Sequence, residues 1–433
     1  MVLTKKKILL IKSWWPYPCD DLYSTYNRVW PPLCLANAAA LLERDGFGVD
    51  ILDAHALRIR PAEIHKYIRG YEKIFITSTS LDRWLGGNIN VDPFLETTRI
   101  IREHVEDFFV SGFHATVEPE RIISMTGAKA VICGEPEMAI LDVCRGRKFC
   151  EIGGLAYKDN GKFTMNARQV FPLESLPEPS YHHFKSGMYQ YEILGKNFFL
   201  FETSRGCPFP CKFCDKVMFN SKFRSKNPEQ VIRELDMAIN KFGIRHGYFI
   251  DLNFTLNHDM VVRVCDYLEK NITKGFKWCC QTRVDLLTED LLKRMARSGC
   301  RIIHVGVESG SPKVLNSLHK DFDFERTKVL FDCAHELGIK TVCFFIFGSP
   351  GEGCNDRQRT IKLARKLLPT YAVFRIWREL LLHENVYELK KAVRKATLGY
   401  YLNMTYLMKR FAHAGPWEIA REAFLFIKMV LAK

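Results

Sequence analysis

Thr203-Ser204-Arg205-Gly206-Cys207-Pro208-Phe209-Pro210-Cys211-Lys212-Phe213-Cys214 sets three cysteines at Cys-x3-Cys-x2-Cys spacing. The apolar run 198–203 leads into it and reads as a β-strand. Three thiolates on one short loop can converge on a single metal centre. A four-iron cluster usually takes four cysteines. Three supplied locally leave one iron open, as an open position makes a zinc site catalytic. Gly206 and the two prolines suit a loop that turns tightly. On spacing alone, a structural zinc or a conventional four-cysteine cluster is the competing reading.

Working outward, further strands are expected at residues 248–251, 278–282, 302–307, 341–347 and 372–376, with helical stretches between them. Together with 198–203 they give six βα units, a partial parallel barrel with its chemistry at the carboxyl-end face. Before the loop, strands at 7–12, 49–53, 74–78, 108–111 and 130–133 alternate with helices. One such helix, 33–44, sets Leu35, Ala38, Ala39 and Leu42 on one face. This alternation predicts an α/β, doubly wound, Rossmann-like parallel sheet, whose ligands sit at the strands' carboxyl ends. Those ends carry Thr77-Ser78-Thr79, Ser111-Gly112-Phe113-His114 and Cys133-Gly134-Glu135. Small residues there let a large flat ligand approach the backbone, although ordinary βα turns have the same look. Residues 154–166 read as a hairpin around Asp159-Asn160-Gly161, and Pro172, Pro177 and Pro179 space a linker. The expected segments are 1–150 (α/β domain), 151–194 (hairpin and linker), 195–377 (barrel) and 378–433 (basic helical tail).

A chain of 433 residues with 47% hydrophobic and 26% charged residues is an ordinary folded protein, which excludes disorder, collagen and coiled coil. No apolar run reaches the roughly 18–20 residues that span a bilayer. The formal charge is +14. From residue 390 on, nine Lys/Arg stand against two acids, so half of the surplus lies in the last tenth of the chain. A basic end suits an anionic partner such as lipid headgroups or phosphate, or a plain solvated tail. Fifteen cysteines without a secretory signal point to free thiols in a reducing cytoplasm. Residues 417–433, WEIAREAFLFIKMVLAK, form an amphipathic helix with Ile419, Ala423, Phe426 and Val430 along one stripe. It is expected either to dock on the barrel as a lid or to lie at a membrane surface.

The cysteine loop resembles the cluster-binding loop of radical S-adenosylmethionine (SAM) enzymes, and the resemblance extends over roughly residues 195–377. It implies a 4Fe-4S cluster on Cys207, Cys211 and Cys214, with SAM chelating the open iron and yielding a 5'-deoxyadenosyl radical. Phe213 takes the aromatic position beside the adenine. The segments 248–254, 281–285, 304–311 and 345–352 look like the family's later strands. By that pattern Asp251, Arg283, Glu308 and Ser309 surround SAM, an arginine suiting a carboxylate and acids suiting amine or ribose hydroxyls.

With the N-terminal segments Pro31-Pro32-Leu33-Cys34-Leu35-Ala36, 111–116 and 133–137, the whole is similar to the cobalamin (B12)-binding domain-containing radical SAM enzymes. That implies cobalamin at Thr77, Ser78, Gly112, His114, Gly134 and Glu135, an electron donor such as flavodoxin or ferredoxin, and a small-molecule or lipid-like substrate. The implied reaction is methylation of an unactivated carbon, with radical cyclisation or oxidation as variants. Two departures stand out. The Asp-x-His-x-x-Gly motif that sets a histidine on cobalt is absent: Asp53-Ala54-His55 begins it, but Arg58 stands where glycine is needed. After Arg375-Ile376-Trp377 the chain runs straight into Arg378-Glu379-Leu380, without the proline-glycine-threonine segment of relatives.

Two other functions compete. A tRNA methylthiotransferase-like enzyme needs three further cluster cysteines at the front, which Cys19, Cys34, Cys133, Cys144 and Cys150 do not match, and a terminal β-barrel where this tail reads as helix. Nucleic acid is accordingly not an expected partner. A catalytically degenerate iron–sulfur or cobalamin-binding protein would hold its cofactors without cleaving SAM. Cysteines such as Cys265, Cys279, Cys300 and Cys343 read as buried free thiols.

Overall fold

Alternation of apolar runs and amphipathic helices is realised in two compact units. One comprises residues 1–19, 25–208 and 215–250, the other 20–24, 209–214 and 251–433. The computed structural model describes residues 7–16, 28–80, 90–214, 216–219, 222–271, 275–377 and 386–431, with the side chains of 413, 418 and 425–431 also outside the description.

In the first unit, β1 (Lys7–Lys12), β2 (Gly48–Asp53), β3 (Lys73–Thr77), β4 (Phe108–Ser111) and β5 (Ala130–Ile132) are parallel. The sheet order is β2-β1-β3-β4-β5, continued by β6 (Leu155–Asp159) and β7 (Lys162–Met165). Strands β1, β3 and β4 are almost wholly buried, which is why they read as unbroken apolar runs. Helices cover both faces. α1 (Leu33–Arg44) sets Leu35, Ala38, Ala39 and Leu42 into one core cluster, as its spacing predicted. α2 (Asp92–His104) packs Phe94 and Ile101 into the cluster on the other face.

The hairpin also matches expectation. Asn160 (φ 47°) and Gly161 (φ 82°) both occupy the left-handed region that a two-residue hairpin turn requires. Its first strand pairs antiparallel with β5, Ile132 opposite Leu155, so the hairpin extends the N-terminal sheet. This unit also holds the parallel pair β8 (Phe198–Phe201) and β9 (His246–Phe249). The Gln230 amide nitrogen donates to the Leu173 and Leu176 carbonyls, fastening the proline-spaced linker.

In the second unit, β10 (Lys277–Thr282), β11 (Cys300–Glu308), β12 (Lys340–Phe347) and β13 (Tyr371–Ile376) form a parallel ladder. Along the chain, six strands thus alternate with helices in the expected (β/α)6 sequence. Cys279 and Cys280 are both buried, and burial pushes the Cys280 thiol far above its ordinary pKa.

The tail is helical: α3 (Tyr387–Tyr401), α4 (Met404–His413) and α5 (Pro416–Leu431). Tyr406 donates to the Thr370 carbonyl at 3.2 Å, and Lys409 lies 3.0 Å from His335 Nδ1. In α5 the anchor is polar: Glu422 accepts from Arg410 at 2.7 Å and from Tyr371. Of the expected stripe, Ile419 is half-buried and Ala423 exposed, while the side chains of Phe426 and Val430 lie outside the described ones; Trp417 and Phe424 are exposed. The shortened connection at 378–380 lies outside the described residues. No helix among them is long and apolar enough to cross a membrane.

Candidate active site

The cysteine loop is best followed within each unit. In the first, Gly206 has φ 79°, and a Cβ on it would stand 2.0 Å from the Lys222 carbonyl oxygen. Only glycine lets the chain pass there. Cys207 follows it, buried, with its carbonyl 3.4 Å from Lys216 Nζ.

Arg205, immediately before, is fully buried. Its Nη1 donates to Glu135 at 2.6 Å, its Nη2 to Glu137 and to Glu202, both at 2.7 Å. Arg224 also donates to Glu135. Burial works against the Arg205 charge, but the three carboxylates outweigh it and hold the guanidinium protonated. Glu135, read from the sequence as a cobalamin contact, is thus committed to an internal ion-pair network that ties the end of β5 to the residues before Cys207.

In the second unit, Arg283 ends β10. Its guanidinium lies 3.9 Å from the Phe209 ring centroid and donates to Asp285 through Nε (2.9 Å) and Nη2 (2.8 Å). Its Nη1 is 3.6 Å from Cys211 Sγ. The structure therefore places Arg283 against the cluster loop, with Asp285 occupying its fork.

Lys320, which sequence reasoning missed, lies with its ammonium 5.3 Å from the Phe213 ring centroid and 2.9 Å from Glu308 Oε1. Both Lys320 and Glu308 are buried. Glu308 has φ 66°, a conformation costly for a non-glycine residue and concentrated at functional sites. Ser309 follows it, its Oγ 3.1 Å from Thr360 Oγ1 and accepting from the Ser311 N–H. Ser311 in turn donates to Asp356 at 2.6 Å. Asp251 is buried. Cys211, Phe213, Arg283, Glu308 and Ser309 thus fall into one connected neighbourhood. A buried lysine inside Leu318-His319-Lys320-Asp321 carries no sequence signal, because that stretch reads as a solvated turn.

The α/β sheet offers the second part of the site. Its order reverses between β1 and β3, the switch point where doubly wound folds bind ligands. Ser13 just beyond β1 and Ser78 just beyond β3 are buried, and among the described residues the Oγ of each has no hydrogen-bond partner. Two orphaned hydroxyls at a switch point fit a polar ligand, since native proteins rarely leave such groups unpaired. His114 Nδ1 lies 2.9 Å from the Ser78 carbonyl oxygen. Gly134 donates to Thr116 at 2.8 Å with φ 91°.

Gly112 lies against the strand-end hydroxyls, with φ 100°. A Cβ there would lie 2.7 Å from the hydroxyls of Thr77 and Thr79. Its missing side chain makes room for those hydroxyls, one of which accepts from the Phe113 N–H at 2.9 Å. At the incomplete motif, Asp53 accepts from the Ala56 N–H and His55 Nδ1 accepts from the Trp15 N–H. Arg58 has φ 58°, so the backbone keeps the left-handed turn that glycine would supply, although the residue has changed.

Residues 201–364 match the Radical SAM superfamily. An uncharacterized methyltransferase from Pyrococcus horikoshii is 28% identical, over 89% of this chain and 91% of its own length. The anaerobic magnesium-protoporphyrin IX monomethyl ester cyclase of Rubrivivax gelatinosus is 26% identical over 79% of this chain, which spans only 63% of that relative. Among solved structures, the radical S-adenosylmethionine methyltransferase TsrM from Kitasatospora setae, with cobalamin and a 4Fe-4S cluster bound, superposes with a TM-score of 0.69 at 17% identity. That match covers 86% of this chain and 72% of TsrM. Residues 201–364 thus carry a Radical SAM superfamily domain, and over 86% of the chain the fold is that of the TsrM structure.

Proposed function

We propose that the protein methylates an unactivated carbon of an amphiphilic small molecule, with cobalamin held at the β1/β3 switch point. The observation that carries the cobalamin half is the pair of orphaned hydroxyls, Ser13 and Ser78, at that point. A 4Fe-4S cluster with SAM supplies a carbon-centred radical, and cobalamin supplies methyl transfer. The chain's own part is to hold and orient. Cys207, Cys211 and Cys214 hold the cluster, and Arg283 donates toward the Cys211 sulfur at 3.6 Å. Phe213, Glu308 and Ser309, with Asp251, line the SAM side, and Lys320 fixes Glu308. Thr77, Ser78, His114 and Gly134 shape the cobalamin side. His55 Nδ1 already accepts from the Trp15 N–H, so in this reading His55 does not serve cobalamin. An electron donor of the flavodoxin or ferredoxin type reduces the cluster. All fourteen described cysteines are free thiols, which supports a reducing cytoplasmic setting.

The test uses anaerobically reconstituted protein, SAM labelled in its methyl group, and candidate metabolites. Labelled methyl on a product carbon, together with 5'-deoxyadenosine, is the expected outcome. Radical cleavage of SAM with an unmethylated, cyclised or oxidised product would replace methylation with the reading favoured by the cyclase relative.

The orphaned hydroxyls give a sharper check. Ser13→Ala/Ser78→Ala removes two buried groups that lack partners, so the cobalamin-free protein should melt at the same temperature or slightly higher. Cobalamin retained through gel filtration should fall at least tenfold, because a contact to the ligand is lost. Unchanged retention would move the cobalamin site elsewhere.

Support for an amphiphilic substrate comes from the tail. Met404, Met408, Phe411, Trp417 and Phe424 are exposed on α4 and α5, beside the basic surplus. Large apolar groups with cations between them suit an anionic lipid surface. Binding to vesicles containing phosphatidylglycerol should weaken with salt and vanish on truncation after Gly415. Indifference of the intact protein to such vesicles would remove the lipid-like substrate from the proposal.

A further inference from the structure

Away from the active site, and independent of the function proposed above, the end of α1 meets the turn Tyr181–His183 inside the first unit. His183 Nε2 lies 2.7 Å and His182 Nε2 3.0 Å from one atom, Glu43 Oε1. The three donor atoms all fall within 4.8 Å of one another. The other carboxylate oxygen accepts from Ser180 Oγ at 2.5 Å. The turn is anchored by Tyr181, fully buried, whose ring packs edge-on against Phe199 with centroids 4.6 Å apart. From that anchor the two consecutive imidazoles lean together, centroids 4.3 Å apart and planes at 36°.

We propose that Glu43, His182 and His183 bind a zinc ion. Two imidazole nitrogens and one carboxylate oxygen are a common zinc donor set. Metal–ligand bonds of about 2.0–2.2 Å put tetrahedral donors roughly 3.3 Å apart, so each imidazole nitrogen would draw back from Glu43 Oε1 by about 0.3–0.6 Å. Neutral imidazoles bind through Nε2 with the proton on Nδ1, so no net proton has to leave. Ser180 fixes the carboxylate from behind, as an outer hydrogen bond does in zinc sites. The fourth position opens to solvent beside His182, whose side chain is 55% exposed. The ion would clasp the turn to α1, upstream of β8. Nothing in the SAM or cobalamin neighbourhoods uses these residues.

The test is elemental analysis of the full-length reconstituted protein, its cluster cysteines occupied, after equilibration with micromolar zinc chloride. One zinc per chain beyond the cluster iron is expected, with a zinc-dependent rise in melting temperature. His182→Ala/His183→Ala should lose that zinc and that rise while keeping the iron. Should the double variant fail to fold, His182→Ala alone, changed at the exposed ligand, should lower zinc affinity at least tenfold with iron retained. Wild-type protein that takes up no zinc, or zinc that stays in the variants, overturns the site and leaves a hydrogen-bonded cluster only.

Discussion

Replacing Cys207, Cys211 and Cys214 together with alanine should take the reconstituted protein from about four iron and four sulfide per chain to none. SAM cleavage should disappear with them. The reason is the donor set: the loop offers three thiols, and Arg283 Nη1 lies 3.6 Å from the Cys211 sulfur. Other thiols are poor substitutes. Burial pushes Cys133 up to about 11 and Cys265 up to about 12, so both stay protonated at neutral pH. The check is iron and sulfide analysis beside 5'-deoxyadenosine formation. A four-iron cluster surviving in the triple variant would assign the ligands elsewhere. Arg283→Lys keeps the charge but loses the flat stacking on Phe209; it should retain the cluster and bind it less firmly.

Arg205→Met should produce the largest loss of stability of any single change outside the cluster ligands. The side chain is fully buried among Glu135, Glu137 and Glu202, and Arg224 reaches only Glu135 among them. Removing the central cation leaves buried carboxylates facing one another, at a cost of about 3–5 kcal/mol. Urea denaturation at neutral pH measures it. The sign of the pH dependence is fixed by the same picture. Unpaired buried carboxylates have folded pKa values raised above their unfolded values near 4. The deficit should therefore shrink as pH falls into the carboxylate range and grow as it rises through the raised folded values. Arg205→Met/Glu137→Gln, with one like charge removed, should recover part of the loss. A single variant as stable as wild type would show that the network contributes little.

The cysteine loop, the strand–helix alternation and the hairpin turn were legible because each is written in near neighbours. Thiol spacing, apolar periodicity and the left-handed tolerance of Asn160-Gly161 depend on a few adjacent residues. For the same reason the strands fell within a residue or two of their expected bounds. Gly206 was expected in a tight loop, and the carbonyl that excludes any side chain there, Lys222 O, only confirms it.

Long-range pairings were not legible. Glu135 reads in the sequence as one more polar residue at a strand end, yet Arg205, seventy residues on, claims it. Lys320 reads as solvated and is buried against Glu308. The hairpin was visible, but not its pairing with β5, which depends on which sheet edge stands open. Gly112 was read as space for a ligand, and folding fills that space with threonine hydroxyls.

By itself the sequence determined the strand–helix order, the hairpin and the class of chemistry, since these rest on local spacing and periodicity. Tertiary structure alone decided which charges neutralise one another in the interior, which strand-end hydroxyls are left for a ligand, and that two histidines converge on Glu43. Those outcomes turn on distances between residues far apart in the chain, and a buried charge or hydroxyl is settled only by what folding brings to it.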